Sequence, residues 1–151
     1  MFRLLLAALI IVGMLGTSYG FTVQDASSLR DSRESWYQTQ PVESLIPALY
    51  QDDARLVELY QHLKQVYSQE LHSAKAEVLK DIGRRYNQLE ALDSAKSVLG
   101  YAIDVATINQ DQFMLALALL NMGIVLKNEG LSAAGLSNLD QAIESYEASD
   151  D

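Results

Sequence analysis

His62 and His72 are the two histidines of the 151-residue chain. Imidazole is the side chain that titrates near neutrality and the commonest metal ligand. Ten residues apart on a helix, the two lean towards opposite faces, and neither belongs to an HExxH zinc motif. Glu58 lies four residues before His62, and Glu77 four before Asp81, so each pair shares a helical face. A zinc site needs three or four converging ligands, so these pairs read as solvated helix surface. Asp52-Asp53 is a capping signal before it is a catalytic pair. The serines have no histidine in a nucleophile arrangement. A glycine-rich phosphate loop is absent. Met114 and Met122 read as core fillers. The expectation is a protein that is not an enzyme and takes no metal and no cofactor.

The elements that would position these residues begin after an unusual start. Arg3 precedes an apolar run from Leu4 to Leu15, with small residues at Ser18 and Gly20. That is the pattern of a secretory signal peptide over 1–20. The alternative is an uncleaved anchor, although the run is short for a membrane span. There is no cysteine, so neither a disulfide nor a cysteine-linked lipid holds the chain. Cleavage after Gly20 leaves ten basic residues against 20 acidic ones, a net charge of about −10. Nucleic acid and anionic membrane are poor partners for such a chain. No Lys or Arg follows Lys127, while six acids do, which reads as a solubilising C-terminal cap. The expected location is periplasmic or secreted.

Residues 21–41 are polar and lack helical periodicity, and read as a flexible lead-in. Trp36 and Tyr37 stand out in it, either docked on the rest of the chain or loosely exposed. Pro41 and Pro47 leave room for one short helical turn between them. A long helix then starts at Asp52 or Asp53, with Leu56, Leu59, Tyr60, Leu63, Val66, Tyr67 and Leu71 as its apolar stripe.

The rest repeats. Residues 76–107, shifted by 40, return as 116–147. Identical pairs are Ala76/Ala116, Leu79/Leu119, Gly83/Gly123, Ser97/Ser137, Leu99/Leu139, Ala102/Ala142 and Ile103/Ile143. All but the serines fall where two helices of a hairpin would meet. Breaks at Glu90-Ala91-Leu92 and Gly130-Leu131-Ser132 are short enough to force antiparallel hairpins. A glycine inside a helix costs about 1 kcal/mol relative to alanine, so its recurrence at 83 and 123 predicts a packing contact. Arg85 is expected to point away from that hairpin. Asn109 with Gln112 is expected to cap the first helix of the second copy. Between Ser97 and Leu126, Asp104 and Asp111 are the only acids and there is no base. The centre of the core is therefore expected in the two helices of that span.

This pattern resembles the tetratricopeptide repeat. The matching positions are Ala76, Leu79, Ile82, Gly83, Tyr86, Ala95, Leu99 and Ala102, then Ala116, Leu119, Met122, Gly123, Leu139 and Ala142. Leu126 departs from the expected Tyr, Gly135 from Ala, and the closing Pro is missing from both copies. The resemblance implies an all-α, tetratricopeptide-like α-α superhelix over 42–151 with one extra N-terminal helix. It also implies a concave groove lined by the first helix of each repeat. Carried over, that groove holds Glu77, Lys80, Arg84 and Asn87, then Leu117, Leu120, Asn121, Ile124 and Asn128. Lys80 and Asn121 match two positions of the family's carboxylate clamp, but Arg84 replaces an Asn. The implied function is protein–protein interaction in an envelope or secretory assembly, with a peptide or protein segment in the groove. The alternatives are a self-assembling homodimer, and an apolar strip covered by the preceding long helix.

Overall fold

The computed structural model of the protein describes residues 23–150. The proposed signal stretch 1–20 lies outside the described residues. The chain forms two compact units, with the division after Thr39. In the first, the polar stretch of the sequence is a helix, α1 (Val23–Thr39), rather than an irregular lead-in. It has no apolar stripe to reveal it by periodicity. It also has no Gly or Pro between Val23 and Gln40, so nothing local interrupts helical hydrogen bonding. The Thr39 hydroxyl donates to the Ser35 carbonyl at 2.8 Å, and the Trp36 and Tyr37 rings meet edge-on at 5.2 Å.

In the second unit Pro41 and Pro47 frame α2 (Val42–Leu45), and one 3₁₀ turn follows at Ala48–Tyr50. Leu45 and Ile46 are buried there. Then come α3 (Ala54–Ser68), α4 (His72–Gln88), α5 (Leu92–Ile108), α6 (Gln112–Asn128) and α7 (Ser132–Ser149). Each of these packs on the next, and α4 also touches α6. The second unit is therefore all-helical over its described residues. None of the described helices is long and apolar enough to cross a membrane.

One turn is used four times. The amides of Leu71, Ala91, Asp111 and Leu131 donate to the carbonyls of Val66, Tyr86, Ala106 and Leu126. One residue earlier, the amides of Glu70, Glu90, Gln110 and Gly130 donate to Tyr67, Asn87, Thr107 and Lys127. This double closure is the Schellman motif, which needs a left-handed residue just past the helix end. Those residues are Glu70 at φ 54°, Glu90 at 58°, Gln110 at 56° and Gly130 at 87°. They fall every 20 residues, so the 40-residue repeat is two strokes of one helix-and-turn unit. Glycine marks only the last of them, which is why the shorter period is hard to see in the sequence.

Among the described residues, the two helix starts with side-chain caps are both acidic. Asp53 accepts from the Leu56 amide at 2.9 Å, and Asp111 accepts from the Met114 amide at 2.9 Å. The cap of α6 is thus Asp111 and not Asn109. Asn109 belongs to the end of α5, because the turn takes three residues before the next helix begins. Leu71 likewise lies in a turn and is exposed, rather than completing the stripe of α3.

The core is centred earlier than the uncharged run suggested. The largest fully buried side chains are Leu56, Leu63, Val66 and Tyr67 of α3, Leu79, Ile82 and Tyr86 of α4, Leu99 of α5 and Val125 of α6. Low charge in α6 reflects an apolar surface as well as core. Most repeat pairs lie at helix contacts, but Ile143 does not: it is 57% exposed. The glycine pair behaves as its recurrence implies. A Cβ on Gly83 would lie 2.4 Å from Leu99 Cγ. One on Gly123 would lie 3.0 Å from the Gly135 carbonyl oxygen and from Leu139 Cγ. Gly135, which stands where the first copy has Ala95, lets the backbones of α6 and α7 touch.

Candidate functional site

The groove residues come from two helices that lie side by side. Lys80, Arg84 and Asn87 are on α4; Leu117, Asn121, Ile124 and Asn128 are on α6. Direct contact between the two groups is seen at one end, where Asn128 Nδ2 donates to Asn87 Oδ1 at 3.0 Å. Asn121 is turned to its own helix and donates to the Leu117 carbonyl at 2.7 Å. Lys80 Nζ lies 3.3 Å from Asp81 Oδ1 and is largely covered. Arg84 is exposed.

On α6 the apolar strip remains open. Leu120 is 39% exposed and Ile124 40%. Phe113, four residues before Leu117, is exposed as well and extends the strip by a turn. The preceding helix α3 packs on α4 and leaves these side chains uncovered. Forty residues earlier, the same helical face of α4 carries Glu77, Lys80 and Arg84. A charged face therefore runs beside an apolar one. The sequence signal for Phe113 was its i, i+4 spacing to Leu117.

Arg85 points away from the α4–α5 hairpin, but it is not idle there. It is on the side of α4 that meets α3, and its guanidinium grips Asp53 with Nη2 to Oδ2 at 2.6 Å and Nε to Oδ1 at 3.2 Å. This hydrogen bond from Arg85 holds the Asp53 carboxyl below its usual range, partly opposed by desolvation and helped by the Leu56 amide. Asp53 thus caps α3 and ties α3 to α4 at once.

The other ionisable groups of the interior also have partners. Lys75 Nζ lies 4.8 Å from the centre of the Tyr67 ring. Lys96, almost fully buried, pairs with Asp93 at 3.1 Å and with Glu129. Tyr67 donates to Tyr101 at 3.1 Å, and the Tyr60 and Tyr86 hydroxyls lie 3.2 Å apart. Burial pushes the Tyr86 hydroxyl up from its ordinary value. Among the described residues no buried side-chain polar atom lacks a partner.

Glu58, His62, Glu77 and Asp81 come together in a way the sequence did not suggest. They line one open cleft of about 520 Å³ between α3 and α4, with Arg55, Gln61 and Gln65. Arg55 pairs with Glu58 at 2.8 Å. Among the described residues no three His, Cys, Asp or Glu converge as metal ligands. No family model, no curated protein and no solved structure matches this chain.

Proposed function

We propose that the second unit is a tetratricopeptide-like stack whose α4–α6 groove binds a peptide or protein segment, in a periplasmic or secreted setting. The observation that carries the reading is the open strip of Leu117, Leu120 and Ile124 beside the exposed Arg84. Contiguous exposed apolar side chains mark interaction sites, whereas singly scattered ones do not. A strip bounded by polar groups is what an extended or helical segment docks on. Asn87 and Asn128 close one end, where their amide groups keep spare donors and acceptors for a main chain. The helical repeat, the close-packed glycines and the pattern of a signal stretch support the fold and the location.

The test uses two double variants. Lys80→Glu with Arg84→Glu reverses the charged face, and Leu120→Gln with Ile124→Gln makes the strip polar. Arg84, Leu120 and Ile124 are exposed and Lys80 gives up only its ion pair with Asp81, so the thermal midpoint should move little. Binding of a segment recovered from envelope extract and resynthesised as a peptide should weaken by about tenfold or more in each. Unchanged binding in both folded variants would place the function elsewhere. A concentration-dependent mass measurement separates the rival reading, self-assembly through a homodimer.

A further inference from the structure

The strongest surface outside the groove is the outer face of α7. Its character follows from comparing it with α5, one repeat earlier. There α6 packs on α5, and Met122 Cε comes within 4.0 Å of a Cβ built at Gly100. Beside Gly100, Lys96 is buried and neutralised by Glu129 from the end of α6, and Ile103 is half-buried. Forty residues on, the same positions of α7 are Leu136, Asp140 and Ile143. No described helix follows to cover them. Leu136 is 61% exposed and Ile143 57%, and Tyr146 continues the stripe at half exposure. The spacing of seven and three keeps all three on one side of the helix.

The charges around the stripe are of one sign. Asp140 lies between Leu136 and Ile143, and Glu144 and Glu147 follow on the next turn. No Lys or Arg occurs after Lys127.

We propose that this face of α7 docks a basic amphipathic helix of a partner protein, with apolar side chains over Leu136, Ile143 and Tyr146 and cations opposite Asp140, Glu144 and Glu147. Charge decides the occupant. A second copy paired through the same face would set Asp140, Glu144 and Glu147 against themselves, and like charges across an interface are strongly disfavoured. A further repeat stacked as α6 stacks on α5 would set an apolar side chain, as Met122 is set beside Gly100, against the charge of Asp140. An anionic lipid surface is repelled for the same reason as a second copy. The reading rests on the α7 stripe and not on the groove of α4 and α6, although the Tyr146 ring tilts against Phe113 of α6 with centroids 6.2 Å apart.

The probe is a fluorescent synthetic helix of about five turns, with leucines at heptad spacing and lysines elsewhere. It is titrated into the full chain and followed by anisotropy. The lysine peptide should bind, more weakly as salt rises, and its glutamate counterpart should bind about tenfold less tightly or worse. Leu136→Gln with Ile143→Gln should cost about tenfold with the same melting curve. Leu120→Gln with Ile124→Gln should leave binding unchanged. Asp140→Lys with Glu144→Lys should invert the preference between the two peptides. No binding of the lysine peptide, or equal binding to the Leu136/Ile143 variant, overturns the proposal. So does self-association of the wild type that this variant abolishes, which would make the occupant a second copy. Phosphatidylserine vesicles captured by the wild type but not by the variant would overturn it in favour of lipid.

Discussion

A single methyl group placed at Gly83 or at Gly100 should act in opposite directions. At Gly83 the new Cβ meets Leu99 Cγ at 2.4 Å, and Leu99 is fully buried. Something must shift, and overpacking of this kind costs about 1–3 kcal/mol. At Gly100 the nearest atom is the mobile end of Met122 at 4.0 Å. Ordinary contact leaves the gain in helix propensity, about 1 kcal/mol in favour of alanine. Thermal or denaturant unfolding of Gly83→Ala and Gly100→Ala should bracket the wild type, and a shared direction would sink the close-packing argument. Asp53 allows a second test. Its carboxyl is held low by Arg85, so the stabilisation is present above the unfolded-state value. It fades as pH falls through the folded one. Asp53→Asn keeps a capping oxygen but removes the charge, so it should flatten the acid limb of the stability curve. Asp53→Ala should lose the cap as well, about 0.5–2 kcal/mol more. Arg85→Leu should likewise be felt, since it strands a largely covered carboxylate.

The four helix-ending turns share one backbone shape but not one residue. Glu70, Glu90 and Gln110 sit at φ 54–58°, a left-handed conformation that costs a residue with a Cβ roughly 1–2 kcal/mol. Gly130 adopts it freely. Replacing Glu90 or Gln110 by glycine should therefore raise stability by about 1 kcal/mol, part of the gain being offset by a freer unfolded chain. Urea midpoints check it; a loss in both variants would mean that the side chains themselves hold the turns. The same turns explain what was legible. Gly83, Gly123 and the apolar spacing around them exposed the hairpins, because close packing leaves a compositional mark. The 20-residue period stayed hidden, because a Schellman turn is closed by backbone groups and three of its key residues are polar. α1 stayed hidden because it has no apolar stripe. In the groove, Leu120 and Ile124 came from the resemblance to the repeat family, and the structure adds that both side chains are exposed. The pairing of Arg85 with Asp53 was not legible, since it joins residues 32 apart and sequence spacing carries no sign of it.

Across the second unit, stability should decline towards the C-terminus. A stack of helices is held mostly by contacts between neighbours, and its end has one neighbour fewer. α3 and α5 bury long runs of large side chains, whereas α7 buries Gly135 and Ala142. Its packing on α6 is close, but what it removes from water is small, and apolar area sets the scale of the driving force. Three acids on α7, which carries no Lys or Arg of its own, add mild repulsion. Native-state hydrogen exchange should find α7 amides opening first, at a free energy well below that of α4 and α5. Adding salt should slow them slightly by screening that repulsion. Equal protection of α7 and α5 has two explanations, separated by dilution. Protection that persists on dilution would mean that the stack unfolds as one cooperative unit and the neighbour argument fails. Protection lost on dilution would mean that a second copy covers Leu136 and Ile143, against the charge argument for a basic partner. Early opening of α7, abolished when the lysine peptide is added, would show that the stripe left exposed by folding is completed by binding.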